Sequence, residues 1–253
     1  MSNVQGTVAG EERLRWLIDQ LGADGFVTIA AAAEVLGVSE MTIRRDLIEL
    51  EERGIARRVR GGAKTIAPLS FAERHDVAAR AKSRIAAKLA DLVPASGAVA
   101  FDASSTVMRL AAALGAARNL TVLTNGPDTF TALQGLAAVS PILTGGELEP
   151  STGSLVGPVA CRTATQFAVQ TFFASAAAID ETSGALEMNL DEAEVKRSIA
   201  ANAGEVVLAV DSSKLGGSAF AVGLEWDQID ILVTELDRDD ARLQPYRDLA
   251  QLL

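Results

Sequence analysis

Between Gly37 and Ala63 the chain has room for a tight turn, one helix and one hairpin, and for little else. In "GVSEMTIRRDLIELEERG", Ser39 is suited to cap a helix, and Ile43, Leu47 and Leu50 at i, i+4 and i+7 give that helix one buried stripe. At about 100° per residue its opposite side carries Met41, Arg45 and Ile48, with Glu40, Thr42 and Arg44 on the flanks. Gly54 ends it. The following "IARRVRGGA" alternates like a two-stranded ribbon, with Arg57, Arg58 and Arg60 near a turn at Gly61 and Gly62.

Two shorter helices are predicted ahead of this stretch. In "ERLRWLIDQL", Leu14, Leu17, Ile18 and Leu21 repeat at helical spacing before Gly22 and Gly25; in "TIAAAAEVLG", Thr28 caps a run built on Ile29, Ala32, Ala33 and Leu36. An arginine pair on an exposed helix is usually only a solvated face, and a Gly-Gly pair only a turn. Their order within about 60 residues predicts a winged helix-turn-helix. Ser39, Met41, Thr42, Arg44 and Arg45 would then meet base edges and phosphates in a major groove, and Arg57, Arg58 and Arg60 the DNA backbone.

The charge distribution bears on that reading. A formal net charge of -10 is unusual for a nucleic-acid binder. Up to Ile66, however, there are 9 basic and 10 acidic residues, against 14 and 23 beyond, and Arg53 to Lys64 holds five basic residues and no acidic one. The acidity belongs to the second part. A single Cys161 and a single His75 allow no disulfide within the chain and no ordinary Cys/His zinc site, so neither metal nor cofactor is expected. No uninterrupted apolar run reaches about 18 residues and no leader pattern opens the chain, which predicts a soluble, cytoplasmic protein without a membrane span.

After a linker over 64–81, a helix from about Lys82 is predicted on Ile85, Leu89 and Leu92. Short apolar runs then alternate with helical segments: "AVAF", "LTVLT", "SPILT", "FFASAAAI", "VVLAV" and "DILVT". Such alternation predicts an α/β domain over 82–253 with a mainly parallel sheet covered on both faces. Several runs end in polar or glycine-rich turns: Asp102 with Ser104, Ser105 and Thr106; Thr124 with Asn125; Thr144 with Gly145 and Gly146; Asp211 with Lys214. Ligands of open α/β sheets bind at the carboxyl ends of strands, and hydroxyls and N–H groups at a helix start suit a phosphate. Ordinary capping accounts equally well for Ser104 to Thr106. Lys214 reads as a phosphate counter-charge.

The stretch "VSEMTIRRDLIELEERGIARRVRGGA" resembles the signature of the DeoR family of bacterial transcriptional regulators. The resemblance extends into the second part, where the family's turns and motifs correspond to Asp102–Thr106, Thr124 and Asn125, Leu143–Gly146, Glu194–Arg197 with Lys196, and Asp211–Lys214. It implies an N-terminal helix-turn-helix module over 8–63, helical apart from its wing, and a sensor domain similar in fold to ribose-5-phosphate isomerase. It further implies operator DNA, a phosphorylated sugar or related effector, and repression more often than activation. Two departures stand out: Ser104 replaces a glycine, and the alanines of "FFASAAAID" stand where glycines and an aspartate are common. A homodimer or homotetramer is expected, since one small module offers little contact for selective DNA binding. No catalytic residue is assigned. The competing readings are a sugar-phosphate isomerase with a DNA-binding appendage, its candidates Asp102, Asp180, Glu181 and Lys214, and a ligand-free regulator whose second domain only oligomerises.

Overall fold

The computed structural model describes residues 10, 12–18, 20–21, 26–52, 55–65, 78–114 and 119–253. The chain divides into two compact units, Met1–Pro68 and Leu69–Leu253. The expected helix stops at Gly22, Gly25 and Gly54, and His75, lie outside the described residues.

In the first unit, residues 12–18 are helical (α1), as are 20–21. They are followed by β1 (Phe26–Thr28), α2 (Ile29–Leu36), α3 (Glu40–Glu52), β2 (Ala56–Val59) and β3 (Gly62–Thr65). Leu14, Leu17 and Leu21 share one core with Ile29, Ala32, Ile43, Leu47 and Leu50. Thr28 caps α2 and Gly37 closes it in the left-handed region at φ 63°. Asp46, on the inner side of α3, is held by Arg13 of α1 at 2.5 Å and 2.9 Å, a two-pronged tie between those helices.

The wing has three strands, in the order β1-β3-β2, where the sequence shows only two. Strand β1 hides in the residues that lead to the α2 cap. Its pairing explains the glycine pair: Gly61 turns at φ 88°, while a Cβ on Gly62 would lie 2.0 Å from Val27 O across the β1–β3 pair.

The second unit is built on a sheet in which every neighbouring pair is parallel. Its strands are β4 (Ser96–Phe101), β5 (Asn119–Thr124), β6 (Val139–Leu143), β9 (Val169–Ala174), β12 (Ala203–Ala209), β14 (Ile231–Val233) and β15 (Gln251–Leu252), ordered β15-β14-β12-β9-β4-β5-β6. Alternate residues serve opposite faces. Val99, Phe101, Phe173, Val207 and Ala209 pack with helices α4 (Ala79–Ala90), α5 (Ser105–Ala113) and α6 (Pro127–Gln134). Ala100, Phe172, Ala174, Val206 and Leu208 pack with α7 (Gly157–Ala164) and α8 (Leu190–Ala200). Near-continuous apolar strands are what two covered faces require.

Three features depart from the expected pattern. Helix α4 starts at Ala79, ahead of the expected start at about Lys82, and its inner stripe includes buried Lys82, which an apolar periodicity cannot reveal. The run "FFASAAAI" is two strands, β9 and β10 (Ala178–Asp180). The latter belongs to a small antiparallel sheet with β11 (Gly184–Glu187) and β13 (Ala221–Leu224), and a hairpin of β7 (Glu147–Leu148) and β8 (Leu155–Val156) follows β6.

Candidate functional site

On the first unit, α3 presents Met41, Arg44 and Arg45 to solvent opposite its buried Ile43, Leu47 and Leu50. Ser39 accepts from Thr42 N at 3.2 Å, and the two hydroxyls lie 2.9 Å apart, so the helix entry is fixed by the hydroxyls expected there. Arg44 is loosely paired with Glu40 at 3.6 Å. Arg57, Arg58 and Arg60 are exposed on the wing. They are not equivalent: Arg58 donates through its backbone N at 2.9 Å and through Nε at 2.5 Å to Glu51 of α3. That grip holds the Glu51 carboxyl below its usual range, chiefly through the Arg58 side chain. Among the described residues Arg45 and Arg60 make no ion pair.

On the second unit, the order of the sheet reverses between β4 and β9. From β4 the chain proceeds outward through β5 and β6, and from β9 the other way through β12, β14 and β15. This is a topological switch point, the place at which open α/β sheets commonly bind ligands. Asp102 directly follows β4 and Ser175 directly follows β9. The Asp102 carboxylate is buried and accepts from Ser104 N at 2.9 Å, Ser175 N at 2.7 Å and Lys196 Nζ at 2.9 Å. Burial alone would raise its pKa, but Lys196 and those hydrogen bonds outweigh it and hold the group below the ordinary carboxylate range.

Lys196 reaches the cluster from α8 and also pairs with Glu187 at the end of β11, 2.9 Å away. Its own pKa rises despite burial, because two carboxylates flank it. Glu187 is pushed up by burial to about 7, with Lys196 only partly compensating. Lys214 donates to Ser175 Oγ at 3.3 Å and to Ala176 O. Its burial lowers the pKa against the pull of Asp211 and the other carboxylates. Ser175 thus links Asp102 and Lys214, which the sequence places 112 residues apart.

The remaining candidates have visible local duties. Ser104 caps α5, its Oγ accepting from Val107 N at 3.1 Å, and at φ -81° it needs no glycine there. The departure at this position therefore leaves the turn unstrained. Ser105 accepts from buried Lys82 at 3.1 Å. Thr106 is buried. Thr124 Oγ1 accepts from Gly126 N at 3.0 Å, and Asn125 donates to Leu155 O at 3.2 Å. Gly145 and Gly146 turn at φ 70° and 117° after β6. Asp211 accepts from Ser213. Sequence reasoning missed Lys82, Ser175 and Glu187. The lone acid in "GALEM" was the available signal for Glu187, since a carboxylate inside a buried apolar run requires a partner.

A cleft of 370 Å³ lies elsewhere, lined by Gly157, Pro158, Cys161, Arg162, Asp191 and Glu194. It holds none of the expected effector residues. Among the described residues no group of three or more His, Cys, Asp or Glu is placed to hold a metal.

The DeoR C terminal sensor domain matches residues 77–236, and the DeoR-like helix-turn-helix domain matches residues 13–68. The chain belongs to the DeoR family. This DeoR-family chain is 30% identical to the HTH-type transcriptional regulator GolR of Listeria innocua, over 94% of its own length and 95% of that protein's. It is also 30% identical to the glycerol-3-phosphate regulon repressor of Escherichia coli, over 88% and 90%. Among solved structures it is similar to ribose 5 phosphate isomerase A from Neisseria gonorrhoeae, at 12% identity, over 53% of this chain and 52% of that one, with a TM-score of 0.38. The DeoR-family chain is thus a DNA-binding transcriptional regulator with an α/β sensor domain. No helix among its described residues is long and apolar enough to cross a membrane.

Proposed function

We propose that the protein is a cytoplasmic repressor of sugar or carbohydrate genes. A phosphorylated sugar or related phosphometabolite would bind at the β4–β9 crevice and alter its hold on operator DNA. The observation that carries the reading is the convergence of Asp102, Ser175, Lys196 and Lys214 at the switch point of the sheet, beside the N-terminus of α5. Two lysines and a helix start are suited to hold an anion, while the carboxylates orient the lysines. A relative named as a glycerol-3-phosphate regulon repressor supports both the sign of regulation and the ligand class.

In this reading 8–63 is the DNA-binding module, 64–81 the linker and 82–253 the sensor. Ser39, Met41, Thr42, Arg44, Arg45, Arg57, Arg58 and Arg60 face DNA. Asp102, Ser104–Thr106, Thr124, Asn125, Gly145, Gly146, Lys196, Asp211 and Lys214 form the effector site. The working species is a homodimer or homotetramer, which brings two or more modules to repeated half-sites.

One observation favours the isomerase alternative. A buried Glu187 with a pKa of about 7 is matched to proton transfer at neutral pH. Selection of bound sequences from a random DNA library, followed by footprinting, tests the regulator. An isomerase assay on ribose 5-phosphate and hexosamine 6-phosphates tests the enzyme. Sequence-selective DNA binding without turnover is expected; turnover without selective binding would reverse the order of the two readings.

A further inference from the structure

The first unit carries large apolar side chains that its core does not take in. Ile43, Leu47 and Leu50 of α3 are fully buried, whereas Met41 on the same helix is 60% exposed. Exposure alone decides little, since Phe26 and Val35 are exposed as well and single apolar residues are common on protein surfaces. What sets Met41 apart is its place. It lies in the first turn of α3, just after the hydroxyl-fixed entry at Ser39, and one turn ahead of Arg45 on the same side of the helix.

Its neighbours in that turn have partners within the chain. Thr42 Oγ1 lies 2.9 Å from Ser39 Oγ, and the Glu40 carboxylate lies 3.6 Å from Arg44. Met41 is the apolar residue of the turn, set in solvent beside a hydroxyl pair and two arginines. The arginines suit phosphates and base edges, and the N-terminal residues of the second helix in a helix-turn-helix are the ones that reach those edges. A thioether donates no hydrogen bond and accepts only weakly, so it has no use for a phosphate or for the polar atoms of the bases. The major-groove edges of the four bases present one projecting apolar group, the C5 methyl of thymine. An unbranched, flexible methionine can close around so small a knob.

We infer that Met41 reads a thymine methyl, which makes it a specificity-determining residue of the DNA module. This rests on the reading in which α3 enters the major groove, and adds the base that its apolar residue selects. Met41 and Arg45 are four residues apart. That is about 6 Å along the helix axis, so the thymine belongs within about two base pairs of the base met by Arg45.

The test removes the methyl and nothing else. A preferred site is selected from a random DNA library with the full chain, and each of its thymines is replaced in turn by deoxyuridine. At one thymine per bound module, wild type should lose affinity by about fourfold, the effect of one methyl-sized group returned to water. Met41→Ala should bind the thymine and deoxyuridine forms of that position alike, while Met41→Leu keeps the preference for thymine; the comparison isolates the contact from other effects of either change. Met41 lies outside the core that gathers Ile43, Leu47 and Leu50, so both variants should melt as wild type does. A loss on deoxyuridine that is the same in wild type and Met41→Ala would give the methyl to another residue and overturn the inference. So would a wild type indifferent to every deoxyuridine, an arm that needs no variant. A library that yields no preferred site would overturn the placement of α3 in the groove itself, and this inference with it.

Discussion

The cationic side chains of the two units are used in opposite ways. On the wing and α3 the arginines stand in solvent, and only Arg58 is firmly engaged, with Glu51. In the sensor Lys82 and Lys196 are buried, and Lys196 is shared between Asp102 and Glu187. Exposed charge of the first kind adds little to stability and remains available for phosphate. Buried charge of the second kind is retained at the cost of desolvation, so its arrangement points to specificity. On the proposed reading, the contrast separates a surface that would read DNA by reach from strand ends that would hold an effector by preorganised geometry.

The largest expected effect breaks the buried side of this comparison. Lys196→Met leaves Asp102 and Glu187 close together without their shared cation, and should destabilise the sensor by about 3 to 5 kcal/mol, measured by urea denaturation. A loss comparable to a surface substitution would mean that solvent reaches the cluster.

On the exposed side, Arg45→Ala should leave stability unchanged while weakening operator binding by about 1 to 3 kcal/mol and blurring discrimination between operator and scrambled sites. Competition binding reads both quantities. Smaller still is the difference between two wing arginines. Arg60→Ala should shallow the dependence of log K on log salt by about one phosphate contact, whereas Arg58→Ala should change it less, because Glu51 already engages that guanidinium. Equal slopes for the two variants would show that Glu51 releases Arg58 on DNA.

A further test of the buried side concerns pH. The folded pKa of Glu187, about 7, lies above its ordinary 4.5, so the folded chain holds this proton more tightly than the unfolded one. The resulting stabilisation is complete below the unfolded value and is lost as pH rises through 7. Glu187→Gln, uncharged throughout, should escape that loss. Thermal melts between about pH 5 and about pH 8 should therefore show wild type losing ground to the variant as pH rises; parallel profiles would place an ionised Glu187 in the cluster at all these values.

The same contrast explains what the sequence could reveal. Ile43, Leu47 and Leu50 repeat along one helix, so the face carrying Arg45 follows from spacing alone. The strands of the parallel sheet were legible as apolar runs, and the strand ends followed from them. The partners at those ends were not, because Asp102, Ser175 and Lys196 come from different layers and meet only through strand order. Lys82 disappeared into an amphipathic stripe where its charge masked its burial. Strand β1 was hidden for another reason: Val27 pairs with Ala63 and Thr28 with Gly62 of β3, partners 36 and 34 residues away in sequence that no local pattern announces.

On the proposed reading, an effector held at the β4–β9 strand ends governs the DNA module. Fluorescence anisotropy of operator-bound wild type and Lys214→Ala, titrated with the phosphosugar panel, tests it most directly. An effector is expected to release DNA from wild type, while the variant binds operator equally well without effector and does not let go. A variant that responds to the effector as wild type does would contradict it.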